Sequence, residues 1–337
     1  MRKQRTGLYL MPLVLIALAA LLYSRKPALQ RYETVWYDLF DTVTVLRGYA
    51  SSEAEFEAEA QKIYDTLLEY HRLFDIYYDY SGVTNLKTVN DAAGGEPVRV
   101  DPRLLDLVEF SRELHDRSGG AVDVTLGAVL AIWHTARETE TVPEAGALRA
   151  AAAHTGFDKL EIDEDQLTLR LTDPAARLDV GAVAKGWAAQ RAIEAAPEGY
   201  LLSVGGNVCA SGAKPDGEPW KVALENPDGG DYLHTLDISG GSVVTSGDYQ
   251  RYFTGPDGVR YHHIIDPETL YPAARWRAVS VLCPDSGTAD GLSTALFVLD
   301  RAEGEALLAE YGAEALWVAP DGTEYMTDGF LASMRQK

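Results

Sequence analysis

From residue 159 to the C-terminus the chain reads as a succession of short strands, and this pattern limits the possible folds more than any single motif does. Residues 159–162 and 167–171 alternate apolar and polar side chains around an acidic turn, the signature of an antiparallel hairpin. Helical stretches interrupt the strands only near residues 182–196 and 289–311. Upstream, a strand-like start over residues 35–46 leads into a helix with a capping box at Ser52 and Glu55. Phe56, Ala60, Ile63, Leu67, Tyr70 and Phe74 then recur at helical spacing as a core face. A second helix opens at Asp101-Pro102 and stops at Gly119-Gly120, with proline just inside the start and glycine just past the end. A loop carrying Asn85, Asn90 and Gly94-Gly95 connects the two, and an Ala-rich helix follows Pro143 as far as Gly156. Helices and hairpins interleave without the regular alternation of a doubly wound sheet. The expectation is therefore an α+β fold, with residues 33–337 as one catalytic unit.

The N-terminus is of another kind. Arg2, Lys3 and Arg5 precede an apolar run over residues 7–23, which Ser24-Arg25-Lys26 closes. A terminal run that is apolar all round and flanked by cations reads as an export signal or a single membrane anchor rather than a core helix. Ala17-Leu18-Ala19 offers a small-x-small cleavage site, yet Leu21 and Leu22 extend the run beyond it, which favours an uncleaved anchor in residues 1–30 with the catalytic part outside the cytoplasm.

The 337 residues carry a formal net charge of -21. Such a surface repels phosphate backbones, so nucleic acid is not an expected partner. A dinucleotide ligand would need local help from a metal ion, a few placed cations or helix N-termini. Two cysteines, Cys209 and Cys283, are too few for a disulfide framework; an exported location permits a bond between them, and two separately buried thiols fit equally well.

Four segments offer chemistry. Over residues 178–186 a short strand ends in Asp179 and passes through Gly181 into a helix bearing Lys185, a junction that aims backbone N–H groups at an anion; the bland reading is a helix with an N-terminal acid and one solvated lysine. Asp290 and Thr294, at i and i+4, share one helix face and both offer oxygen to a hard cation, or Asp290 simply favours the first helical turn. Residues 245–253 are followed by Tyr261-His262-His263-Ile264-Ile265-Asp266-Pro267, where strand alternation turns the two histidines to opposite faces. Gly205-Gly206 in residues 203–207 marks a turn that lets backbone approach a ligand.

In this order the segments resemble the FAD:protein FMN transferase (ApbE) family, together with Gly119-Gly120-Ala121-Val122-Asp123-Val124-Thr125 and residues 289–299. The start Phe40-Asp41-Thr42 departs from the Met-Gly-Thr common in the family. The resemblance implies a T-fold-like core of mixed or antiparallel sheet with packed helices. It implies FAD contacts from Tyr77, Ala121, Val122, Asp123, Asp179, Lys185 and Ile265, and Mg²⁺ ligands from Asp290, Thr294 and the carbonyl of Ala182.

The implied reaction moves FMN from FAD, as substrate, to a Ser or Thr hydroxyl of a target flavoprotein and releases AMP; a subunit of a membrane electron-transfer complex is one such target. His263 is the candidate proton acceptor and Asp266 the group that orients it, with Tyr249, Tyr252 and Tyr261 as candidate walls of an acceptor channel or as ordinary strand packing. The chain holds no acceptor motif of its own, since Ser211-Gly212-Ala213-Lys214 lacks the final hydroxyl. Two other readings use overlapping residues: an FAD pyrophosphatase releasing FMN and AMP, and a non-catalytic extracytoplasmic flavin-binding protein, which has no need of the Asp290/Thr294 pair.

Overall fold

The computed structural model describes residues 28–335. The expected anchor lies outside them except for residues 28–30, and no helix among the described residues is long and apolar enough to cross a membrane. The chain opens as a hairpin rather than the single strand expected over residues 35–46: β1 (Gln30–Leu39) and β2 (Thr42–Ala50) pair antiparallel. The turn residues Phe40 and Asp41 have φ of 54° and 49°, the left-handed pair a tight hairpin turn requires, without the Asn-Gly that usually announces one.

In α1 (Glu53–Phe74) the Ser52 hydroxyl caps the helix by accepting from the Glu55 N–H at 3.2 Å. The Glu55 carboxylate reaches back to the Ser51 N–H instead of that of Ser52, so the expected capping box is only half made. The segment expected as loop contains α2 (Leu86–Asp91), capped by Asn85, before β3 (Val98–Arg99). The helix α3 (Pro102–Arg117) starts at its Asp101 cap as expected. Then comes α4 (Gly127–Thr139), which has no capping side chain at Leu126 and was not expected; α5 (Ala145–Ala152) follows and ends short of Gly156.

The expected hairpin forms as β4 (Leu160–Asp163) and β5 (Thr168–Leu171), with β3 added beside β5. After α6 (Ala184–Glu194) run β6 (Tyr200–Val204), β7 (Asn207–Ala210), β8 (Trp220–Leu224), β9 (His234–Ile238), β10 (Gly241–Gly247), β11 (Tyr252–Thr254), β12 (Arg260–His262) and β13 (Ala278–Cys283). The helical stretch 289–311 is two helices, α7 (Ser286–Val298) and α8 (Arg301–Tyr311), parted where Asp300 and Glu303 form a reciprocal capping box. The chain finishes with β14 (Glu314–Val318), β15 (Glu324–Met326) and α9 (Asp328–Ser333).

Eight strands form the main sheet in the order β1-β2-β6-β7-β10-β13-β14-β15, and every neighbouring pair is antiparallel. Side chains alternate between its faces. Leu202, Val279, Val281, Ala315 and Trp317 join α1, α6 and α7 in the large core, whereas Leu201, Ala278, Leu316 and Val318 pack with Trp220 and Leu236 of the β8–β9 hairpin and with Phe330 of α9. A third apolar cluster links α4 and α5 to β11 and the segment after β12, through Leu126, Trp133, Leu148, Phe253 and Ile265.

The sheet register also decides the fate of the cysteines. Cys209 on β7 and Cys283 on β13 both pair with Ser242, from opposite sides of β10. They stand two strand spacings apart, about 9–10 Å, beyond the roughly 7 Å a disulfide spans, and both are free and buried.

Candidate active site

The helices α6 and α7 cross at Gly186, where a Cβ would overlap the Ser286 carbonyl oxygen and Asp290 Cβ. Glycine is required there by contact, not by backbone angle. The closeness has an electrostatic result: the Gly186 N–H, one of the first-turn donors of α6 that have no partner within the helix, donates to Asp290 Oδ2 at 2.8 Å. Lys185 Nζ lies 3.7 Å from the same Oδ2 and 3.4 Å from the Gly181 carbonyl oxygen. The Thr294 hydroxyl donates to the Asp290 carbonyl at 3.3 Å, which leaves its lone pairs uncommitted on the same helix face.

Asp290 is buried, and burial pushes its carboxyl above the ordinary range against the opposing pull of Lys185, the Gly186 N–H and Asn207. The capping role considered for Asp290 belongs to Asp285, which accepts from the Thr288 N–H at 2.7 Å; Asp290 sits in the second turn. Among the described residues no three His, Cys, Asp or Glu side chains cluster as a metal site. The Asp290 carboxylate and the Thr294 hydroxyl on one face of α7, with the Ala182 carbonyl just before α6 that the resemblance adds, offer oxygen only, the kind of donor Mg²⁺ uses when substrate phosphates and water supply the rest. A buried carboxylate that is incompletely compensated fits such a cation.

A second group of expected residues meets beside this corner. The Asp179 N–H donates to the Val124 carbonyl at 2.8 Å, and Leu126 bridges Arg177 in parallel, so residues 123–126 run alongside 177–179. Asn90 clamps the junction by bonding both the N–H and the carbonyl of Leu178. Asp123 accepts from the N–H and hydroxyl of Thr125, at 2.8 and 2.6 Å. Ala121 and Val122 are buried in the core, so any ligand contact there falls to their backbone.

Tyr77 stands on the loop after α1, which Asp75 organises through the N–H groups of Tyr77 and Tyr78 and the hydroxyl of Tyr80. Its hydroxyl lies 2.9 Å from Nδ1 of His134, whose Nε2 is 3.8 Å from Asp179 Oδ2. Burial and the Asp179 charge push the Tyr77 phenol up to about 12, and burial holds the His134 imidazole below its usual value. Sequence reasoning missed His134. The spacing of Leu126, Val129, Leu130 and Trp133 would have revealed its helix.

The third part is a cavity lined by Trp133, His134, Arg137, Arg251, Tyr261 and His263. Nδ1 of His263 is buried and has no hydrogen-bond partner among the described residues, and burial, reinforced by Arg251, Lys185 and Arg137, lowers this imidazole to about 3. The expected turn of the two histidines to opposite faces is not seen, since both border this cavity; they differ in bonding, with His262 Nε2 2.8 Å from the Ala273 carbonyl.

Other expectations need correction. The Asp266 carboxylate accepts from the Glu268 N–H at 2.8 Å and, among the described residues, has no hydrogen bond to His263; it holds its own turn. The Ile265 side chain is buried in the third cluster, so any ligand contact there falls to its backbone, as at Ala121 and Val122. Of the three channel tyrosines only Tyr261 lines the cavity, stacked between Trp133 and Phe253, while Tyr249 packs against the β8–β9 core and Tyr252 lies outside under Arg260. Neither Arg137 nor Arg251 makes an ion pair among the described residues, and sequence reasoning assigned them nothing.

Known proteins resemble this chain over most of its length. The FAD:protein FMN transferase of Treponema pallidum is 33% identical over 316 residues, covering 87% of this chain and 86% of its own. That of Vibrio cholerae is 34% identical over 253 residues, covering 72% and 74%. The crystal structure of the ApbE protein from Thermotoga maritima superposes with a TM-score of 0.83 at 29% identity, over 91% of this chain and all of that one. The flavin transferase ApbE from Vibrio cholerae gives 0.78 at 28% identity, with the same coverage. The model of the ApbE family matches residues 40–317, so the chain belongs to the ApbE family.

Proposed function

We propose that the protein is an Mg²⁺-dependent FAD:protein FMN transferase that attaches FMN to a Ser or Thr hydroxyl of a partner flavoprotein and releases AMP. The observation that carries this reading is the convergence of Lys185, the Gly186 N–H and the Asp290 carboxylate at the α6–α7 crossing. A protein that only binds flavin has no need of the Asp290/Thr294 pair, whose oxygens share one helix face beside Lys185. Mg²⁺ bound by Asp290, Thr294 and the Ala182 carbonyl would supply charge neutralisation for the diphosphate.

The chain's own groups supply the rest. Lys185 and the start of α6 attract phosphate oxygens, while Asp179, Asp123 and Tyr77 offer hydrogen bonds to the flavin dinucleotide. His263 is neutral in the empty protein and able to accept the acceptor hydroxyl's proton. Burial is the larger cause of its low basicity; a bound diphosphate would offset only the part that Arg251, Lys185 and Arg137 contribute, which raises the imidazole from its value in the empty protein. The apolar walls from Trp133, Phe253 and Tyr261 favour exclusion of water, on which transfer rather than hydrolysis depends.

Residues 1–30 would tether one catalytic unit, residues 33–337, on the outer side of the membrane. Full-length protein should then sediment with membranes and be released by cleavage near residue 30. To test the reaction, the soluble part is incubated with FAD, Mg²⁺ and flavoprotein subunits from the same cell, and all products are weighed. Transfer gives an acceptor heavier by FMN less water and one AMP per acceptor modified. Equal release of AMP and free FMN, indifferent to every acceptor, would replace it with the pyrophosphatase.

A further inference from the structure

We propose that His134 is a positioning residue, which locks Tyr77 and Asp179 into a single edge for the dinucleotide; this rests on the FAD reading above. The three residues come from separate parts of the chain: the loop after α1, the middle of α4, and the junction before α6. Among the described residues the imidazole stands between the other two, 2.9 Å from the Tyr77 hydroxyl and 3.8 Å from Asp179 Oδ2. It is a firm support, because the neighbouring Trp133 is pinned by its indole N–H to the Leu270 carbonyl at 2.9 Å and α4 begins where Gly127 lies against Arg177. Tyr77, by contrast, is 54% exposed on a loop, and its ring depends on this one side-chain hydrogen bond.

The place of Asp179 sets the direction of the chain of contacts. Its Oδ2 lies 3.8 Å from Nε2, so the tautomer with the imidazole proton on Nε2 is favoured over one that turns a lone pair towards the carboxylate. Nδ1 is then the acceptor for the Tyr77 hydroxyl, in keeping with a phenol held protonated and an imidazole whose basicity burial lowers. Asp179 Oδ1 is occupied by the Gly181 N–H at 2.9 Å. Oδ2, too far from Nε2 for a direct hydrogen bond, is oriented by it and left open to a hydroxyl or ring N–H of the ligand.

The test measures FAD binding, by quenching of flavin fluorescence, and transfer kinetics for the parent, His134→Gln, His134→Leu, Tyr77→Phe and the double variant Tyr77→Phe/His134→Leu. The leucine variant should weaken FAD binding by about tenfold, the size of one lost hydrogen bond. KM for FAD should rise with it while kcat changes little. Glutamine, which can both accept from Tyr77 and donate towards Asp179, should restore most of the affinity. The double variant should lose little more than the leucine variant alone, because the two residues act as one unit. Parent-like binding by His134→Leu, a glutamine variant no better than leucine, or fully additive losses would each overturn the inference. If His134→Leu does not fold, the Tyr77→Phe and His134→Gln affinities decide it. A parent that binds FAD but transfers FMN to nothing sinks the proposed function and leaves the His134 comparison readable.

Discussion

The corner at the α6–α7 crossing and the cavity beside His263 differ in what holds their polar groups. At the crossing the supports are main chain and small residues: a glycine N–H, a helix carbonyl, a threonine on the same face as its aspartate. In the cavity the groups arrive on long side chains from α4, from the loop before β11 and from the end of β12, among stacked aromatic rings, and two arginines have no acidic partner among the described residues. Main-chain supports suit a charge that must stay in one place. Long side chains suit a surface that has to receive a second macromolecule and change its charge balance on doing so.

This contrast can be broken by mutation. The largest effect is expected at the corner: Asp290→Ala should lower Mg²⁺-dependent transfer by about 10³-fold or more, the several kcal/mol a bound metal contributes to a phosphoryl reaction. Thr294→Ala should act in the same direction. A parent-like rate for Asp290→Ala in limiting Mg²⁺ would remove the corner from the chemistry. In the cavity, His263→Ala should lower transfer by roughly 10²–10⁴-fold with FAD still bound, as read by single-turnover assay with a fixed acceptor. His262→Ala should do the reverse, losing stability through its vacated bond to Ala273 while the folded fraction stays active.

What the sequence disclosed follows the same division. Asp179 with Lys185, and Asp290 with Thr294, sit in two contiguous motifs, so each pair could be read from spacing, whereas the expectation that both belong to one site came from the family resemblance. The partners were less visible because they are contacts between segments: Gly186 matters through Ser286 and Asp290, a hundred residues away in sequence, and His134 through Tyr77 and Asp179. The helix α4 was missed because Leu126 provides no cap and nothing in its first turn marks a start. The β1–β2 turn was missed because Phe40 and Asp41 take left-handed angles that their residue types do not advertise. Asp266 shows the opposite error, a carboxylate near the proposed base in sequence that serves its own turn.

Two smaller effects sharpen the comparison. Gly186→Ala should cost about 1–3 kcal/mol by overpacking, seen as a lower melting temperature, and should impair metal-dependent turnover at the same time. A loss of one without the other would separate packing from charge placement. Acid titration should report the cavity: an unfolded imidazole takes its proton near 6.5, whereas His263 resists until about 3. Between those values the unfolded state binds the extra proton, so stability falls as pH falls. Denaturant titrations from pH 7 to 4 should show this slope, and His263→Gln should flatten it; an unchanged slope would mean that the cavity does not hold the imidazole neutral.

The glycine at the crossing also has a meaning in genetics. The atoms a Cβ at 186 would strike are the Ser286 carbonyl oxygen, which belongs to the main chain, and Asp290 Cβ, which any residue but glycine possesses. No exchange of a neighbouring side chain can make room while the carboxylate is kept. A lesion at Gly186 therefore has no suppressor among the side chains at the point of collision, and recovery of function has to come from reversion or from substitutions elsewhere that let the two helices move apart.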